Sequence, residues 1–225
     1  MAYVGQDGTS GYVRSQGVAV NTIQNWTMMC WCFVETTSEK GAFFYIGVDQ
    51  NNAGDGMGLY VGANNGGALG NKALGTTFPV AWLDANTSFG TGWHHFAMVD
   101  RGGFQYLYLD GISLGGFASP ITSAPDTLTQ LGCDSDPDAG SNLSAGNRTA
   151  HAKAWNSALG TTQIQAEMSS GFPMFNFDTL AMYWSAEKSG GYGTANVIDF
   201  TQKLSAIGIA TNTVTWADNP PVARC

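Results

Sequence analysis

Three carboxylates occupy alternate positions in Asp134-Ser135-Asp136-Pro137-Asp138, a segment bounded by Gly132 and Gly140. Carboxylate oxygens are hard ligands suited to Ca2+, and an EF-hand would add a bidentate acid at the twelfth loop position. Counted from Asp134, that position is Ala145. An EF-hand is therefore excluded, which leaves either a looser calcium loop on Asp134, Asp136 and Asp138 or a solvated acidic loop. The turn-rich setting also keeps these acids off a rigid strand, so they do not form the fixed carboxylate pair that glycoside hydrolysis requires. His94 and His95 are adjacent, and neighbours on a strand point to opposite faces, so together they cannot hold one metal ion. Cys30 and Cys32 share one face of an apolar run. The strand repeat of about 6–7 Å between them is near the limit for a disulfide, and they read as buried free thiols. Cys133 and Cys225 stand alone and do not complete a zinc-ligand spacing.

Aromatic side chains are more plentiful. Phe104, Tyr106 and Tyr108 share one strand face, and Tyr60 and Trp82 lie in segments that can neighbour it, with Asn64, Asn65 and Asn86 in adjacent loops. Exposed aromatic rings beside planar amides offer a ligand apolar faces together with groups that both donate and accept hydrogen bonds. Tyr60, Trp82, Tyr106, Asn64, Asn65 and Asn86 are accordingly the candidate ligand contacts.

The scaffold that must position them is an all-β one. Of 225 residues, 44% are hydrophobic and 12% aromatic, enough for a sizeable core, and the 30 Gly favour short strands and tight turns over helices. The balance of 9 Lys+Arg against 17 Asp+Glu, net −8, offers no basic patch for nucleic acid. No apolar run approaches the ~20 residues of a membrane span, and the opening Met1-Ala2-Tyr3-Val4 lacks the features of a secretory leader, so surface display is expected to use another route. Strands are predicted over 26–34, 42–48, 57–63, 93–100 and 104–114, the last folded into a hairpin at Asp110-Gly111. Met57, Leu59 and Val61 alternate with Gly58, Tyr60 and Gly62, so the small-residue face either leaves room for something to approach or packs tightly within the sheet. One short helix is predicted after Gly160, with a Thr162-x-x-Gln165 capping pattern and a stop at Gly171. The segments 179–184 and 206–216 are apolar again and read as an extension of the same domain.

Taken in order, Trp26-Thr27-Met28-Met29-Cys30-Trp31, Trp93-His94-His95-Phe96-Ala97, Leu107-Tyr108-Leu109-Asp110-Gly111 and Ala154-Trp155-Asn156-Ser157-Ala158-Leu159 resemble the laminin-G-like, concanavalin A-like lectin superfamily. The resemblance implies a jelly-roll β-sandwich of two curved antiparallel sheets over residues 1–172, with 173–225 as a C-terminal extension packed on the same domain, and one short helix near 161–170. It also assigns Trp31, Trp93, His94, His95, Tyr108 and Trp155 to structural positions. Glycosidases of this fold carry a Glu-x-Asp-x-x-Glu strand, which is absent here, so no enzyme activity is expected. The expected function is a non-catalytic lectin-like module that binds surface glycan and is displayed, in several copies or as a homo-oligomer, on a virion or extracellular surface. Two alternatives stand beside it: a phage capsid or tail decoration protein without a glycan ligand, and a polysaccharide hydrolase. Loops 49–56, 62–77 and 134–147 are longer than hairpins need and are expected to make contacts, with Ca2+ as the one cofactor considered.

Overall fold

The structure is a computed structural model, and it describes residues 2–4, 12–16, 20–35, 41–47, 56–61, 70–71, 81–82, 90–119, 121, 128–133, 143, 146–185, 196–197, 208–211 and 215–217. In chain order the strands begin with β1 (Ala2–Val4), β2 (Tyr12–Gln16), β3 (Thr27–Val34), β4 (Gly41–Gly47), β5 (Met57–Val61), β6 (Gly70–Asn71), β7 (Ala81–Trp82) and β8 (Gly92–Asp100). They continue with β9 (Phe104–Leu109), β10 (Ile112–Ala118), β11 (Leu128–Leu131) and β12 (Arg148–Trp155). Helix α1 (Thr161–Ser169) precedes β13 (Leu180–Trp184), β14 (Asn196–Val197), β15 (Gly208–Thr211) and β16 (Thr215–Ala217).

The strands form an eight-stranded antiparallel sheet, β10-β9-β8-β3-β12-β1-β16 with β13 also on β12, and a six-stranded one, β14-β15-β2-β11-β4-β5. Strands β6 and β7 make a separate pair. This is the expected two-sheet sandwich. Its core lies between the sheets, where Met28, Cys30, Phe96 and Met98 of one meet Phe44, Ile46, Leu59 and Leu131 of the other. Cys30 and Cys32 are free, and their sulfurs lean together to 3.3 Å. Among the described residues, four strands beyond residue 172 join these sheets: β13 pairs with β12, β14 with β15, β15 with β2 and β16 with β1. The single alternating run at 206–216 is thus two short strands, β15 and β16, that pair in different sheets.

Strand β3 is apolar on both faces and must be covered from both sides. The second cover is α1, whose Ile164 packs with Leu159 and Leu180 onto Met29, Ala97, Val99, Tyr108 and Trp155. The helix starts earlier than the Thr162/Gln165 capping pattern implied. Gly160 is its N-cap, and the Gln163 side chain accepts the Gly160 N–H at 2.8 Å. Gln165 is drawn instead to the β9–β10 hairpin, donating to the Gly111 carbonyl at 3.1 Å. In that hairpin Asp110 (φ 50°) and Gly111 (φ 74°) both adopt the left-handed conformation that a two-residue turn demands. The Asp110 carboxylate accepts the His95 backbone N–H and lies 2.8 Å from His94 Nδ1, so both histidine positions serve the turn.

A buried ion pair fastens the helix to the sheet. Lys153 Nζ of β12 lies 2.7 Å from Glu167 Oε2, with side chains 2% and 0% exposed. The ammonium also donates to the carbonyls of Glu167 and Ser170, while Glu167 Oε1 accepts the N–H groups of Met174 and Phe175. Burial lowers the Lys153 pKa and Glu167 opposes that shift, keeping the charged pair together. Glu167→Gln leaves a buried ammonium without its counter-ion and is expected to cost about 3–5 kcal/mol. Lys153→Met combined with Glu167→Gln removes both charges, keeps an amide oxygen for Met174 and Phe175, and should lose less than Glu167→Gln alone. Urea denaturation of the three proteins checks the order.

Candidate functional site

The sequence-derived candidates do not form one surface. Tyr106 lies on the helix-covered face of the eight-stranded sheet, where it packs beside Tyr108 and Val99. Tyr60 lies on the outer face of the six-stranded sheet with Ala42, Tyr45 and Leu128. The whole sandwich therefore separates them, and Tyr60 is only 5% exposed. What approaches the small-residue face of β5 is the protein's own aromatic rings. A Cβ on Gly58 would stand 2.6 Å from the Tyr60 ring, and one on Gly47 would stand 2.6 Å from Tyr45 Cζ. Trp82 pairs with Gly70 between β7 and β6, its side chain lying outside the described residues, as do Asn64, Asn65, Asn86, Asp134, Asp136 and Asp138. Among the described residues no group of three or more His, Cys, Asp or Glu is placed to hold a metal ion.

The structure brings together a different set at the end of the eight-stranded sheet where β3, β9 and β13 begin and β8, β10 and β12 finish. Asn21, Gln24, Asn25, Asn156 and Asn176 are all exposed there. Backbone bonds hold them in place. Asn25, in a left-handed conformation, donates its N–H to Asp100 Oδ1 at 3.0 Å and accepts the Gly102 N–H on its own Oδ1 at 3.1 Å. Asn156 Oδ1 accepts the Asn21 N–H at 3.3 Å, and the Asn156 N–H donates to the Thr179 carbonyl. Asn176, also left-handed, closes the turn into β13 and donates from Nδ2 to Ser157 Oγ at 3.3 Å.

Aromatic rings flank this row. Phe104 is 42% exposed, and its ring centroid lies 5.4 Å from that of half-buried Tyr106. The two rings lie over Gly116 of the edge strand, where a Cβ would meet both at 2.9 Å. Arg101 stacks 4.9 Å from the Tyr106 ring and spends its donors on Tyr108 Oη and the Leu159 carbonyl. On the far side Phe177 is 62% exposed. Such a surface offers apolar ring faces and amides that both donate and accept, with its backbone already ordered. The sequence reading found Phe104 and Tyr106. It missed Asn156, Asn176 and Phe177, which no periodicity marks.

A second group of chemically capable residues lies beneath α1. His151 Nδ1 is 3.3 Å from Tyr183 Oη, Tyr183 donates to the Gly171 carbonyl, and His95 packs edge-on against Trp31. His95, His151, Tyr183, Lys153 and Glu167 are each 5% exposed or less, and they pack and fasten the helix to the sheet. Burial, reinforced by the Lys153 charge, lowers the His95 pKa to about 3 and the His151 pKa to about 4.

The family model described as the concanavalin A-like lectin/glucanases superfamily matches residues 7–165. No curated protein matches the sequence. Among solved structures, one similar chain is a Bacteroides ovatus protein assigned as carbohydrate binding, at 18% identity and a TM-score of 0.65. That likeness covers 96% of this chain and 62% of the other, so this chain spans less than two thirds of it. Another is the heptameric SAP-like pentraxin of Limulus polyphemus, at 16% identity and a TM-score of 0.56, covering 75% of this chain and 82% of that one. At such identities the likeness establishes the fold alone.

The buried histidines set an acid limit. In the unfolded chain a histidine takes up its proton near 6.5, while His95 and His151 in the fold resist until about 3 and 4. Their contribution is therefore full above 6.5 and is lost as pH falls, by up to ~1.4 kcal/mol per pH unit for each. Unfolding free energies should decline from pH 7 to 5, and a His95→Gln, His151→Gln variant should show a flatter decline.

Proposed function

Because the chain belongs to the concanavalin A-like lectin/glucanases superfamily, we propose that it is a non-catalytic recognition module that binds glycan at the amide-rich end of its eight-stranded sheet. The observation that carries this reading is the row of exposed, backbone-ordered amides flanked by the open rings of Phe104 and Phe177. Single sugar contacts of this kind are weak, so the module works in several copies on a virion or other outer surface, where avidity multiplies them. Glycan arrays with a multivalent form test the reading directly. Phe104→Ala is expected to weaken binding about tenfold, the loss of ~1.4 kcal/mol of stacking, and Gln24→Ala should weaken it less. Absence of binding to every glycan, together with stable incorporation into a capsid or tail, would leave a structural decoration role instead. Release of reducing sugar from a polysaccharide would overturn the non-catalytic part.

Calcium belongs to the same proposal through Asp134, Asp136 and Asp138, three carboxylates within five residues. A ligand of the folded state raises stability by mass action. Excess Ca2+ should raise Tm relative to chelator, and the triple Asp→Asn variant should abolish the difference. An unchanged Tm in the natural sequence would remove calcium from the proposal.

A further inference from the structure

The exposed rings of the amide-rich end stand at its two sides rather than together. Phe104 opens β9, and Phe177 lies in the turn that leads into β13. The sheet order β9-β8-β3-β12, with β13 on β12, puts four interstrand steps between them, about 19 Å at ~4.8 Å per step. Between the rings, Gln24 and Asn25 sit in the segment that leads into β3, and Asn156 follows the end of β12. The row therefore runs ring, amides, amide, ring across the strand ends. A pyranose unit is about as broad as one interstrand spacing, roughly 5 Å, so a single sugar touches one flank and leaves the other empty. The charge pattern narrows the ligand further. Asp178 is exposed beside Phe177, and the Arg101 guanidinium is half-buried against Tyr106 and bonded to Tyr108 and Leu159. Among the described residues of this row no exposed cation is offered to an anionic sugar, and the chain as a whole carries net −8.

Resting on the glycan-binding reading above, we infer that the site takes an extended, neutral oligosaccharide laid across the strand ends, one ring stacked near Phe104, another near Phe177, and the hydroxyls between them met by Gln24, Asn25 and Asn156. The ligand is then an internal stretch of a linear polysaccharide, not a terminal sugar. The ordered backbone of the row supports this, since a preformed linear track pays little to receive a linear chain.

Calorimetric titration with neutral linear gluco-, manno- and galacto-oligosaccharides, from monosaccharide to hexasaccharide, and with sialylated and uronic-acid oligosaccharides, tests the inference. The expected result is affinity that climbs steeply to about the tetrasaccharide and then levels, with acidic sugars at least tenfold weaker. Phe104→Ala and Phe177→Ala should each cut tetrasaccharide affinity about tenfold, and Phe177→Tyr should retain it. Both side chains are 42% exposed or more, so the variants keep the core, and unchanged melting curves verify that. A monosaccharide bound as tightly as the tetrasaccharide, a preference for acidic sugars, or length-dependent binding untouched by both Ala variants would overturn the extended site while leaving glycan binding intact. Failure of every saccharide, neutral or acidic, would overturn the glycan reading itself and this inference with it.

Discussion

The ion pair of Lys153 and Glu167 is the contact on which the outer layer of the molecule depends. A central strand that is apolar on both faces gains from a second cover, but a nine-residue helix supplies few apolar side chains, chiefly Ile164. The pair adds a directional tie. Its ammonium binds carbonyls of residues 167 and 170, and its carboxylate binds the N–H groups of 174 and 175, so one buried contact fixes both the end of α1 and the chain that follows. Buried charges are costly unless every lone pair and proton is used. Here the ammonium protons and Glu167 Oε1 find backbone partners beside the pair itself, and Trp155 adds a bond from Nε1 to the Phe175 carbonyl at 3.0 Å.

That anchorage reaches the candidate site. The segment 171–179 leaves the buried pair, passes Trp155, and ends in the Asn176 turn that presents Phe177 and starts β13. The other flank is ordered by separate means: Asp100, fully buried, gathers the N–H groups of Asn25 and Gly103 on one oxygen. Two independent devices thus hold the two sides of one surface. Such a surface binds without first having to order itself, and its loops derive their shape from the sandwich rather than from local sequence.

The glycines of the six-stranded sheet show which of two readings of a local signal holds in three dimensions. Small residues in a strand do mark a close approach. At β4 and β5 the approaching groups are Tyr45 and Tyr60 lying against Gly47, Gly56 and Gly58, so Tyr60, which reads as part of an exposed platform, belongs to the packing. At Gly116 the same device operates on an open edge, and there the rings of Phe104 and Tyr106 keep a solvent-facing side.

By itself the sequence determined the class of fold, the central strands, the Asp110-Gly111 hairpin and the existence of α1, because these follow from period-2 apolar alternation and local turn chemistry, which need no distant partner. The ordered Trp, His and Asp-Gly stretches carried the family for the same reason: each marks a local geometry. Tertiary structure alone decided the rest. Strand β12 is not marked by periodicity, and only its Ala154-Trp155 end falls within a family stretch, because Lys153 and His151 interrupt its apolar pattern and find their partners Glu167 and Tyr183 only when the helix and β13 arrive. The split of 206–216 between two sheets depends on which strand edges stood open. The site shows the limit most clearly: Gln24, Phe104, Asn156 and Phe177 come from four separate segments, and nothing along the chain relates them. They come to one end of the molecule because strands as far apart in the chain as β3, from Thr27, and β13, from Leu180, align in one sheet and deliver their ends to the same side.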